Sequence, residues 1–371
     1  MSYQSIQQRH QQNGYSLIEV MIAVALSIGL LTGIIQILSN SRKNQSWNEA
    51  QNQIEDVGQF ALDQLSDTFR YRGFEGCAKP SSFQNQASAT SVLITNFLLG
   101  NSNAPLDNQA LRGYQINAAN EWLPAPTFSY LTNLKQGLKD TTGNTVIPRT
   151  NSDLVSIYHA EQHVGLLTAD MTSASDVITI SDPNNPPAVD FAEGDWATLS
   201  DCNNAVLFAV TANNNNQLSH NTPANISDNL SQTFRQNAEI RQALVDVFFV
   251  ADTHERPDGQ PPLYGLYRYR NGKAPELLIE GIEFLKIQYG EVTSSTGDTR
   301  YVDANHVTDW PQVKSVRIGL IATSTTTILP ANDTSDYVIA GSTITADDYT
   351  SSGARYLRKP LNLTVQLRNA L

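Results

Sequence analysis

The chain has 371 residues, 40% of them apolar and 16% charged, with a net charge of −12 and a sequence pI near 4.9. That length holds one large domain or two ordinary ones, and the apolar share is too high for a disordered chain. An acidic chain without a basic cluster is a poor match for a phosphate backbone, so no direct nucleic-acid binding is expected.

Residues 1–14 are polar, carry Arg9 and no acid, and end in Gly14. From Tyr15 to Leu38 the chain is apolar for 24 residues, with Glu19 as its single acid. At ~1.5 Å per residue a helix of that length crosses a hydrocarbon core of ~30 Å. A carboxylate inside such a segment costs ~2.5–3.5 kcal/mol on insertion scales, which marks Glu19 as a functional position. A conventional cleaved signal does not fit, because the run is too long and no small-x-small site follows it. A plain signal anchor explains the hydrophobicity, but neither Glu19 nor a glycine directly before the run. Gly29 and Gly33 have the G-x-x-x-G spacing that lets helices approach closely. Arg42 and Lys43 follow, and a positive-inside count taken alone places the rest of the chain in the cytoplasm.

The helical period continues over 39–72. Trp47, Ala50, Ile54, Val57, Ala61, Leu65 and Phe69 recur at three, four and seven, which predicts one apolar stripe on an amphipathic helix. Gly58 weakens the run without ending it, and Arg72-Gly73 is the predicted stop. One helix from Tyr15 to Tyr71 would be ~85 Å long.

From Gly73 the texture changes to short β-branched and aromatic runs punctuated by Asn, Asp, Pro and Gly. Strands are predicted at Val92–Leu98, Leu154–His159, Val177–Ser181, Trp196–Leu199, Ala205–Thr211, Val245–Val250, Leu263–Arg270, Leu277–Tyr289, Val316–Thr323 and Leu361–Leu367. Asp182–Val189, Asn213–Asn216 and Thr323–Thr327 read as surface loops. The pattern predicts an α+β fold, a long N-terminal helix packed on a mostly antiparallel sheet. No repeat or linker divides 73–371.

Catalytic and metal-binding patterns are weak. His159 and His163 are four apart, but no third ligand follows them. Asp252-Thr253-His254-Glu255 with Pro257-Asp258-Gly259 is turn chemistry without calcium-loop spacing. Tyr264, Tyr267 and Tyr269 alternate with Arg268 and Arg270, the pattern of an exposed sheet face rather than of an adhesive patch. No phosphate-binding glycine loop or nucleophile elbow is present. No enzyme activity, cofactor or metal is expected. Cys77 and Cys202 are two buried thiols in a cytosolic chain, or one disulfide in an exported chain.

Gly14-Tyr15-Ser16-Leu17-Ile18-Glu19 resembles the signal of type IV prepilins: a short leader, Gly, an aromatic first mature residue, and Glu at mature position five. Tyr15 stands where Phe is commonest, and the helix-kinking proline of many major pilins is replaced by Gln36. The resemblance implies a type IV pilin-like fold, with cleavage between Gly14 and Tyr15 and N-methylation of Tyr15 by a prepilin peptidase. It also implies that Glu19 meets the N-terminal amine of a neighbouring subunit. Its segments are a leader over 1–14, a transmembrane and filament-core helix over 15–38, an amphipathic half over 39–72 and a periplasmic β-rich head over 73–371.

Three further stretches narrow the family: Arg70-Tyr71-Arg72-Gly73-Phe74-Glu75-Gly76-Cys77, Gly194-Asp195-Trp196 with Ser200-Asp201-Cys202, and the closing Leu367-Arg368-Asn369. Their order is similar to that in PilW, a family of large minor pilins; the J-type minor pseudopilins of type II secretion are the alternative. The PilW resemblance implies a subunit that primes filament assembly and sits at or near the tip, serving twitching motility, adhesion and DNA uptake. Implied partners are other minor pilins, the major pilin, a large tip adhesin and the inner membrane. The chain would cross that membrane once with its head in the periplasm, then enter a surface pilus of a Gram-negative bacterium. Export overrides the positive-inside count and favours a Cys77–Cys202 disulfide. Closing a loop of 125 residues would add ~5 kcal/mol in the chain-entropy model.

Overall fold

α1 (Leu17–Tyr71) is 55 residues long without a proline. The computed structural model describes residues 16–74, 94–96, 110–126, 129–161, 165–181, 191–201, 203–225, 227–230, 232–256, 261–293, 297–349 and 355–367. Gly14, Tyr15, Cys77, His163, Cys202, Pro257-Asp258-Gly259 and the whole Asp182–Val189 loop lie outside these. The helix starts where Ser16 O accepts from Glu19 N and Val20 N. It stops as predicted: Gly73 turns to φ 65°, a conformation that favours glycine, and donates to Tyr158 O. The chain forms two compact units, Met1–Gln51 and Asn52–Leu371, and the division falls inside α1.

In the second unit the helix is followed by β1 (Ile94–Asn96), β2 (Leu111–Ile116), β3 (Trp122–Leu123), α2 (Ser129–Gln136), β4 (Leu138–Lys139) and β5 (Thr145–Val146). Next come β6 (Asp153–Ala160), β7 (Gly165–Leu167), β8 (Ile178–Ser181), β9 (Trp196–Ser200), β10 (Ala205–Ala209), β11 (Ala212–Asn213) and β12 (Gln217–Ser219). The chain then forms β13 (Glu239–Asp252), β14 (Tyr264–Arg270), β15 (Glu276–Glu280), β16 (Ile282–Val292), β17 (Thr299–Val302) and β18 (Val313–Thr327). β19 (Tyr337–Ile339), β20 (Ser342–Ile344), the one-turn α3 (Ala346–Tyr349) and β21 (Tyr356–Gln366) complete it.

β13 organises the larger sheet, which has thirteen strands among the described residues. Its first residues pair with β9 and β7, and its remainder pairs with β6 and β14. β14 carries β15, and β6 carries β2. A second sheet has the order β17-β16-β18-β21 and is antiparallel throughout. Only β1 and β10 pair in parallel among the described residues.

The helical stripe finds its core. Ile54, Val57, Ala61, Leu65 and Phe69 are buried with Val155, Ile157, Phe248 and Val250 of the larger sheet, and with Leu285, Ile287, Val316 and Ile318 of the smaller. A Cβ on Gly58 would overlap Leu361 Cδ1, so the glycine that weakens the helix permits its close approach to β21. The other face of β13 and β14 is also covered. Val247, Phe249, Tyr267 and Tyr269 pack with Trp122 of β3 and with Leu131 and Leu134 of α2. A strand buried on both faces shows no polar alternation, which is why Val247-Phe248-Phe249-Val250 reads as one apolar run.

The structure corrects several expectations. Leu277–Tyr289 is two strands: Gly281, at φ 85°, takes the chain from β15 in one sheet to β16 in the other. Thr323–Thr327 is no loop but the end of β18; Thr323 is buried and pairs with Arg358. Tyr267 and Tyr269 do not lie on an exposed face, because the side of β14 that bears them meets α2 and β3. β2, β7, β17 and α2 were not foreseen, being short and without a clear period.

Candidate assembly surface

In the first unit, residues 17–38 present apolar side chains on every side of the helix. Leu17 is 78% exposed, Leu30 70% and Ile37 69%. A helix apolar all round belongs in lipid or among other helices, not in water. Ser27 Oγ donates to Ala23 O at 2.7 Å and Thr32 Oγ1 to Ile28 O at 2.8 Å, so both hydroxyls are satisfied within the helix. A Cβ at Gly29 or Gly33 would meet open space. Glu19 is exposed in the first turn, at the positive end of the helix dipole. From Leu17 to Ser41 it is the single acidic or basic side chain, and it makes no ion pair among the described residues.

The second unit buries its charges in pairs. Glu283 accepts from Arg358 Nε at 2.6 Å and Nη2 at 3.2 Å, and from Arg149 Nη1 at 3.5 Å. Asp333 Oδ2 lies 3.4 Å from Arg358 Nη1. The Arg149 guanidinium lies between the rings of Tyr264 and Phe284, at 3.8 and 3.9 Å, and Arg358 lies 4.0 Å over Tyr349. All four charged residues are buried. Burial lowers the Arg149 pKa, and Glu283 opposes that shift. Two cations and two anions thus tie Asp333 and Tyr349, which flank β19–β20, to β16 and β21.

His159 belongs to a similar cluster. Its Nε2 is 3.1 Å from Asp246 Oδ2, and Arg270 holds the same carboxylate through Nε at 2.6 Å and Nη2 at 2.7 Å. Burial pushes the Asp246 pKa up, but the bonds from Arg270 and His159 outweigh it and bring it to about 2. In the Asp252 turn His254 N and Arg256 Nη1 both donate to Asp252 Oδ1, and His254 Nε2 lies 3.0 Å from Thr145 O. No group of three His, Cys, Asp or Glu suits a metal ion among the described residues. An open cavity of about 210 Å3 is lined by Ser200, Asp201, Arg235, Gln236, Asn237 and Glu239.

Of the predicted site residues, the structure describes Glu19. Sequence reasoning missed Arg149, Asp246, Glu283, Asp333 and Arg358. The signal for two of them was an acid inside an apolar strand, as in Val245-Asp246-Val247 and Ile282-Glu283-Phe284, which calls for a buried cation.

Residues 247–369 match the family model PilW, Type IV Pilus-assembly protein W. Over these residues, about a third of its length, the chain is similar to PilW. The match runs from within β13 past the end of β21, so it takes in the four-stranded sheet and all of the Glu283 cluster except Arg149. No curated protein matches the chain, and no solved structure does. The role attached to PilW is type IV pilus assembly, and PilW is not a known enzyme family. Such a role goes with other pilus components and a place in the cell envelope, and the apolar N-terminal helix suits membrane anchoring.

Proposed function

We propose that this PilW-like chain is a minor pilin that helps prime type IV pilus assembly and sits at or near the filament tip. The observation that carries the reading is Glu19, the lone ionisable side chain on the apolar first half of α1. The PilW match supports a pilus over the type II secretion alternative. A prepilin peptidase cleaves between Gly14 and Tyr15 and methylates the Tyr15 amine. Residues 15–38 cross the inner membrane and then enter the filament core, 39–72 form the amphipathic half, and 73–371 form a periplasmic head stapled by Cys77–Cys202. Glu19 pairs with the N-terminal amine of a neighbouring pilin, because an unpaired carboxylate among packed apolar helices is costly. Other minor pilins, the major pilin and a large tip adhesin are the partners, and the filament serves twitching motility, adhesion and DNA uptake.

Mass spectrometry of the N-terminal peptide, from membranes of a host with an active prepilin peptidase, tests the class. A peptide starting at N-methyl-Tyr15 is expected; one starting at Met1 or Ser2, beside a processed control, returns the chain to the signal anchors. Glu19→Val tests the pairing. Insertion and cleavage stay intact, while co-purification with partner pilins drops; normal co-purification would refute the role of Glu19.

A further inference from the structure

The four-stranded sheet ends on β21, eleven residues with β18 on one side. Leu367 N donates to Lys314 O and Leu357 N to Ser324 Oγ, and the register is unbroken from Gln366 to Arg358. Odd-numbered residues therefore turn their N–H and C=O groups toward β18. Antiparallel alternation turns those of Asn362, Thr364 and Gln366 to the outer edge. Pro360 shares that outward parity, where a proline breaks no ladder bond. Among the described residues no backbone group pairs with this edge.

Two other edge strands of these sheets, β15 and β17, are blunted. β15 is five residues long, is bounded by Glu276 and Glu280, and has an irregular register against β14. β17 is four residues and carries Arg300. Short length, charge and bulges are how native sheets guard an edge. From Asn362 to Gln366 β21 has no charge, bulge or proline. Asn362, Thr364 and Gln366 are exposed, and Leu361 and Leu363, on the helix side of the strand, are only partly buried.

We propose that the outer edge of β21, over Asn362–Gln366, is a strand-addition site that takes an extended segment of a different pilus subunit. The inference rests on the minor-pilin reading above. The exposed donors and acceptors require an extended backbone, which β-augmentation supplies. Leu361 and Leu363 call for apolar side chains at alternate positions of the added strand. A second copy of this chain is disfavoured, because each would carry a net charge of −12 to the contact. Pro360 sets where the pairing of the partner strand ends.

The test is residue-resolved hydrogen exchange on the full chain in detergent, alone and co-purified with its co-expressed pilus subunits. Thr364 and Gln366 amides should exchange quickly alone and slowly in the complex, while Leu363 and Val365 amides are protected in both. Thr364→Pro removes one outward donor and no ladder bond, so it should lower partner recovery about tenfold with the buried-tryptophan fluorescence unchanged. If Thr364→Pro misfolds, Gln366→Pro at the strand end serves with the same expectation. Equal exchange at Thr364 and Gln366 in both states, or protection from self-association alone, overturns the proposal. When that occurs in a complex with processed Tyr15 and Glu19-dependent association, the minor-pilin reading stands. An unprocessed chain that recovers no subunit overturns both.

Discussion

Glu283→Gln tests whether the Arg149–Glu283–Arg358–Asp333 cluster is a buried ion network. Glu283 sits where the register between β16 and β18 shifts, and its side chain is 2% exposed. The Arg358 side chain it grips is 0% exposed and that of Arg149 is 6% exposed. The native cluster is neutral. The amide removes one anion from these four residues and leaves them with a buried net charge of one. Breaking a buried pair in this way costs about 3–5 kcal/mol, far above the ~0–1 kcal/mol of a surface pair. Urea unfolding of the full chain in detergent reads this out through Trp122 and Trp310, both buried in the second unit. Arg358→Met removes a cation from the same cluster, so the double variant should lose about 2 kcal/mol less than the two single losses added together. A loss below about 1 kcal/mol for Glu283→Gln would refute the argument, because that is the scale of solvated charges.

The Asp246 carboxyl titrates at about 2 when folded, against an ordinary value of 3.8. Its stabilisation is therefore complete above the unfolded value and is lost as pH falls through the folded one. Asp246→Asn should cost about 2 kcal/mol at neutral pH and flatten the stability profile between about pH 4 and pH 2; an unchanged acid limb would count against the pairing with Arg270 and His159. A Cβ on Gly319 would stand 2.6 Å from Ala340 N and 2.7 Å from Ile339 C, so backbone must move. Gly319→Ala should cost about 1–3 kcal/mol and speed amide exchange over β19 and β20, and wild-type exchange there would show that the contact is loose.

Legibility followed the range of the interactions. The stripe from Ile54 to Phe69 and the stop at Gly73 are local, so period and glycine chemistry found them. β13 was seen only as Val245–Val250, because Glu239-Ile240-Arg241-Gln242 has no apolar run and becomes strand through pairing with β7 and β9. Tyr267 and Tyr269 looked like surface because alternation with arginine mimics a wet face. In the fold Arg270 bonds Asp246 and Arg268 bonds Glu276, while the tyrosines are buried against α2 and β3.

The sequence by itself determined a helix apolar in its first half and amphipathic in its second, Glu19 as the lone charge on the apolar half, and a β-rich remainder. These rest on composition and on periods of a few residues, which every short segment carries within itself. Tertiary structure alone decided that Arg149, Glu283, Asp333 and Arg358 share one buried site, and that β21 and not β15 offers an unguarded edge. A buried charge is tolerable only beside its counter-charge, and an edge exists only once its sheet is assembled. Both depend on strand pairings between residues far apart in the chain.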